Sequence, residues 1–158
     1  MTDKQDSLDS LLQAVQSKQL SVAEAKTQLS HYDELGFAKI DLHRRQRQGF
    51  PEVVFGEGKT ASQIIDIIST LLAHDEIILV TRVDYNKAQN IIAKYSHLEY
   101  HEAARIICTP VSNISKSNYY TSVICAGTSD LPVAEEAAIT AEVMGIHVKR
   151  FYDVGVSG

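Results

Sequence analysis

Tryptophan is missing from these 158 residues, proline occurs three times and cysteine twice. The two cysteines, Cys108 and Cys125, each sit inside an apolar run. They are too few for a disulfide framework and predict buried thiols in a reducing compartment. Neither has the paired spacing of a zinc site. No apolar run approaches the roughly 20 residues that cross a bilayer. The start is polar, with no basic stretch leading into an apolar core, so no secretory leader is expected and a cytoplasmic protein is. The formal net charge is -5 and no basic block of five residues occurs, which argues against nucleic acid as a partner. The one dense basic patch, His43-Arg44-Arg45-Gln46-Arg47, reads as a solvated helix face ahead of an anion site.

What is there is ordinary globular material, 44% hydrophobic and 22% charged, enough for one domain or two small ones. Residues 1–35 read as a helical hairpin: Leu8, Leu11, Leu12 and Val15 recur at helical spacing, and Ser21 with Glu24 makes a capping box. Phe37–Leu42 alternates like a strand with one wet face. Val53–Phe55 reads as a short buried strand. A helix follows Thr60 with its stripe at Ile64, Ile65, Ile68, Leu71 and Leu72. Ile77–Val80 is the next strand, Asp84 caps a helix running to about Tyr95, and Ala104–Cys108 is a further strand. The polar stretch from Thr109 to Tyr120 is the best boundary. After it come a strand over 122–126, a helix over 131–144 with Gly145 at its C′ position, and a strand over 147–152. Strands alternating with helices of this length predict an α/β fold built from βαβ units around a mostly parallel sheet.

Several motifs carry chemistry. Gly56-Glu57-Gly58-Lys59-Thr60 is like the end of a P-loop, but the first glycine of that pattern would fall at Val53, so a nucleoside-triphosphatase is excluded. The loop still offers backbone donors, a helix N-terminus and Lys59, which suit one phosphate; an ordinary glycine turn is the alternative. Arg82 lies just past a strand's C-terminal end, where open α/β sheets bind ligands; it fits a carboxylate or phosphate, or a surface ion pair. His97 and His101 are four apart but in a strand-like stretch, which disfavours a metal pair. Cys125 has apolar neighbours and reads as structural. The strongest motif is Gly127-Thr128-Ser129-Asp130, set where a strand hands over to a helix. Glycine allows close backbone approach, and two hydroxyls suit phosphate oxygens. Asp130 either caps the helix or accepts from a ribose hydroxyl. Tyr152-Asp153-Val154-Gly155-Val156-Ser157-Gly158 leaves the next parallel strand on the same rim. Together the two loops suggest a nucleotide pocket.

Two long segments in order also resemble a known family. Ala126 to Ala137 together with Tyr152 to Gly158, and upstream Arg47-Gln48-Gly49-Phe50-Pro51-Glu52-Val53-Val54-Phe55-Gly56-Glu57-Gly58-Lys59-Thr60, look like LarB, the proteins that begin nickel-pincer nucleotide cofactor synthesis for lactate racemase. The resemblance runs from about residue 36 onward. After the helical hairpin (1–35) it implies an N-terminal α/β domain (36–117) and the first part of a parallel-sheet, flavodoxin-like domain (118–158). That last part is similar to the aminoimidazole ribonucleotide carboxylases and mutases, the PurE-like enzymes. In those enzymes a Gly-Ser-x-Ser-Asp loop binds ribose and phosphate, and Gly127, Thr128, Ser129 and Asp130 match it.

The implied reaction is carboxylation of nicotinic acid adenine dinucleotide by CO2, then cleavage of its phosphoanhydride to AMP and pyridinium-3,5-biscarboxylic acid mononucleotide. Mg2+ would shield the pyrophosphate, and a homo-oligomer, up to an octamer, is expected. Ser129 and Asp130 would hold the mononucleotide half, with Asp153, Gly155 and Ser157 across the pocket and Lys59 and Arg82 toward the pyrophosphate. The family's cysteine nucleophile and acid–base glutamate match nothing here and are expected beyond Gly158. The chain thus reads as a piece of a longer enzyme, inactive alone, with an open sheet edge and a bare face. Rival readings are a purine-pathway carboxylase or mutase and a non-catalytic nucleotide-binding module.

Overall fold

The computed structural model describes residues 3–22, 24–25, 32–42 and 44–155. Helix α1 (Asp3–Gln16) opens the chain. The Ser21 amide donates to the Glu24 carboxylate at 2.8 Å and the Glu24 amide to Ser21 Oγ at 3.2 Å, the reciprocal pair expected of a capping box. Most of the second hairpin helix lies outside the described residues. Tyr32–Glu34, at the end of the stretch read as helical, forms β1, antiparallel to β2 (Lys39–Asp41). Gly36, at φ +78°, makes the turn between them. The basic patch forms a short helix, α2 (Arg44–Gln48), with His43 outside the described residues.

The centre is a four-stranded sheet ordered β3-β4-β6-β5. It comprises β3 (Val54–Phe55), β4 (Leu79–Thr81), β5 (Glu99–His101) and β6 (Ile106–Cys108). Strands β3 and β4 run parallel, joined through α3 (Ala61–Ala73), as the βαβ reading requires. The expectation of a mostly parallel sheet fails for the rest: β6 is antiparallel to both β4 and β5. A tight turn over Glu102–Arg105 folds β5 and β6 into a hairpin, with the Arg105 amide bonded to Glu102 O at 3.1 Å and Arg105 at φ +54°. A hairpin so short must reverse direction.

Side chains alternate across this sheet. Val80 and Ile107 face one core with Ile64, Ile68 and Leu71 of α3 and with Ala88 and Ile91 of α4 (Tyr85–Lys94). Leu79, Ile106 and Cys108 face a second core with Ile139 and Val143 of α5 (Leu131–Val143). The first core explains the helix stripe: Ile64, Ile67, Ile68 and Leu71 are buried, while Ile65 and Leu72 pack at its border.

Helix α5 is the shared element. It touches β4 and β6 on one side and, on the other, the parallel pair β7 (Tyr120–Ile124) and β8 (His147–Phe151). A helix between two sheets needs small or apolar residues on both sides, and α5 buries Ala134, Ala138, Ile139 and Val143. Its end is a Schellman motif: the Gly145 amide reaches Glu142 O at 3.0 Å, Ile146 reaches Ala141 O at 3.0 Å, and Gly145 takes φ +83°. The strand expected over 122–126 is instead Tyr120–Ile124, with Tyr120, Thr121, Ser122 and Ile124 exposed. Apolar residues are there, but among the described residues it is α5 that packs on the pair, on one face. No helix among the described residues is long and apolar enough to cross a membrane.

Candidate functional site

The parallel pairing of β7 with β8 brings their two exit loops to one rim. The Cys125 amide donates to Phe151 O at 3.1 Å and the Val154 amide to Cys125 O at 3.3 Å, so the loops are stitched to each other. Thr128–Asp130 is a 3-10 turn closed by the Asp130 amide on Gly127 O at 3.0 Å. Asp130 does not cap α5; its Oδ2 accepts from the Gly127 amide at 3.1 Å. The hydroxyls of Thr128 and Ser129 are exposed and make no hydrogen bond among the described residues. Asp153 is exposed at φ +61°, in the left-handed region that aspartate enters more readily than most side chains. Gly155 ends the described rim, and Ser157 lies outside it.

Gly127 departs from expectation. Its φ of -123° is open to any residue, and an added Cβ would come no closer than 3.9 Å to Ser129 Oγ or Asp130 Oδ2. The fold does not require glycine there. A ligand approaching the backbone would.

Behind this rim stands a polar lattice that sequence reasoning did not single out. Arg150 of β8 places Nη1 and Nη2 on the Glu142 carboxylate at 2.7 and 2.8 Å, and its Nε is 3.3 Å from Glu135. Tyr152 Oη donates to Glu135 at 2.7 Å. Arg150 holds the Glu142 carboxyl below the usual carboxylate range, and burial with the Glu135 bond pushes the Tyr152 phenol up to about 12. Glu135 and Glu142 stand seven apart, two helical turns on one face, which is the signal that marks them.

The other two candidates stand at the C-terminal ends of β3 and β4. Gly56 is packed against β4 rather than standing in an open turn. Its amide bonds to Thr81 O at 2.8 Å, and a Cβ would meet that oxygen at 2.8 Å and Val83 Cγ2 at 3.0 Å. Lys59 Nζ donates to Phe55 O at 2.7 Å. Thr60 and Gln63 close a full capping box, at 2.9 and 3.2 Å, on the start of α3, occupying donors an anion would use. Arg82, at φ +57°, gives Nε to Glu136 of α5 at 2.7 Å, which raises its pKa. That ion pair helps tie the β4 end to the helix of the loop rim; among the described residues Lys59 has no such link.

Cys108 is buried, and burial pushes its thiol up to about 12. No group of three or more His, Cys, Asp or Glu that could hold a metal converges among the described residues. The rim carboxylates Asp130 and Asp153 do not form a protein-built cage for Mg2+ among the described residues.

Residues 32–111 match the family described as the LarB/PurE-like N-terminal domain. A protein of Methanocaldococcus jannaschii that carries no assigned function is 35% identical over 160 aligned residues. The alignment covers 96% of this chain and 62% of that relative, so the chain spans under two thirds of the relative's length.

Proposed function

We propose, for a chain that belongs to the LarB/PurE-like N-terminal domain family, a part in carboxylating the pyridinium ring of nicotinic acid adenine dinucleotide within a longer enzyme. The overall change joins CO2 to ring carbon C5, releases that carbon's hydrogen as a proton, and splits the phosphoanhydride with water, giving the dicarboxylated mononucleotide and AMP. The observation that carries this reading is the stitched rim, with two hydroxyls that have no partner among the described residues and a glycine the fold does not need. Exposed hydroxyl and amide donors beside a helix start suit phosphate and ribose oxygens. Thr128 and Ser129 would bind the phosphate, Asp130 or Asp153 a ribose hydroxyl, and Ser157 would close the far side. Among the described residues Arg82 spends only Nε, on Glu136, so the rest of its donor fork would serve the pyrophosphate. Lys59 would have to leave Phe55 O to join it. This chain binds and orients; the covalent step belongs to residues outside it.

The test uses the longer protein with nicotinic acid adenine dinucleotide and 13C-bicarbonate, reading products by mass spectrometry. Labelled dicarboxylated mononucleotide and AMP should form, and Ser129→Ala with Asp130→Ala should cut formation by about 100-fold or more, the scale of lost transition-state positioning. Unchanged turnover in that variant, or turnover only with carboxyaminoimidazole ribonucleotide, would overturn the assignment.

A further inference from the structure

A second site lies at the opposite end of β4 from Arg82. A half-open cleft of about 360 Å3 sits where α2, the start of β4, the end of β6 and the C-terminal end of α5 meet. Its free polar side chains can all donate. Thr109 Oγ1 accepts from the Ile78 amide at 3.0 Å, which leaves its hydroxyl hydrogen to point elsewhere. Asn113 accepts from Ser112 through Oδ1, so its NH2 is unspent, and the Ser115 hydroxyl has no partner among the described residues. Arg45 stands exposed at the edge of the cleft. Its neighbours in the basic patch are taken, Arg44 by Glu52 at 3.4 Å and Arg47 by Asp41, whereas Arg45 has no partner among the described residues. No acidic side chain lines the cleft, and Ile77 and Val143 supply an apolar floor. The helix C-terminus alongside is partly closed by its Schellman bonds, and Gly145 O is taken by the Ser117 amide at 2.7 Å.

We infer that this cleft binds a phosphomonoester carried on a flat apolar body, with Arg45 as the charged clamp. Its volume is at the small end of ligand pockets and suits a body of ring size. A guanidinium, two hydroxyls and an amide NH2 match the several acceptor oxygens of a phosphate better than a single carboxylate. The inference does not rest on the carboxylation reading, because none of these residues belongs to the rim.

Amide NMR of this chain titrated with phenyl phosphate tests it. Saturable shifts should cluster at Thr109, Asn113, Ser115 and Gly145. Arg45→Met should weaken binding by about tenfold with Tm unchanged, since a charge-assisted pair is worth that much or more. Inorganic phosphate should bind more weakly than phenyl phosphate. Shifts confined to Gly127–Asp130, no saturation by about 10 mM, equal affinity for inorganic phosphate, or indifference to Arg45→Met would each overturn the proposal.

Discussion

Gly56 and Gly127 both follow a strand, and they are glycines for different reasons. Gly56 is packed so closely on Thr81 and Val83 that a methyl group must displace backbone. Gly56→Ala should therefore lose about 1–3 kcal/mol in urea unfolding, as overpacked cores do. Gly127→Ala should stay within about 0.5 kcal/mol of the parent, yet weaken nucleotide binding measured by calorimetry. Cys108 makes a second test at this scale. Burial moves its thiol from an ordinary 9.0 to about 12. The folded protein then holds a proton that the unfolded chain releases, so this stabilisation is whole below pH 9 and is lost as pH climbs toward 12. Cys108→Ser, with a hydroxyl that does not titrate there, should flatten the alkaline fall in stability followed by circular dichroism. Thiol labelling at pH 8 should reach partly exposed Cys125 well before Cys108.

Helix α5 and strand β8 are joined by the Arg150 fork, which is partly shielded from water. Arg150→Met should cost about 1.5–3 kcal/mol in chemical denaturation, the range for hydrogen bonds to charged groups. Glu142 adds a pH signature. Its carboxyl is depressed by Arg150, so the stability it contributes is present above its ordinary 4.5 and lost as pH falls; the variant should lose that part of the acid sensitivity. Local chemistry was what the sequence conveyed best at this scale. Thr60 with Gln63, Asp84 and Gly145 all announce helix ends through their own backbone bonds, and those ends stand where expected. Strand direction was not legible, because β6 runs antiparallel for reasons held in a turn ending at left-handed Arg105. The rim loops could be read from contiguous residues. The Arg45 cleft could not, since its walls come from residues 45, 77, 109, 113 and 143, which only the fold assembles. Apolarity likewise misled at β7: Val123 and Ile124 show a liking for burial without saying whether anything covers them.

For the whole molecule, that uncovered pair sets solution behaviour. Tyr120 is 64% exposed, Ile124 64% and Phe151 47%, and among the described residues β7 and β8 pair only with each other. Open strand edges beside apolar surface invite association. Light scattering should show mass rising with concentration, and Ile124→Lys should suppress the rise while leaving the near-ultraviolet spectrum unchanged; a monomer at every concentration would contradict this. The shared helix has a consequence in time as well. A nascent chain leaves the ribosome N-terminus first, and its central sheet is complete once Cys108 has emerged. The residues that cover Leu79, Ile106 and Cys108 are Ile139 and Val143, which are translated later. Between those moments the sheet is finished on one side and bare on the other. That interval is when a holdase would find this protein, and a ribosome stalled just after Cys108 should present the sheet to one.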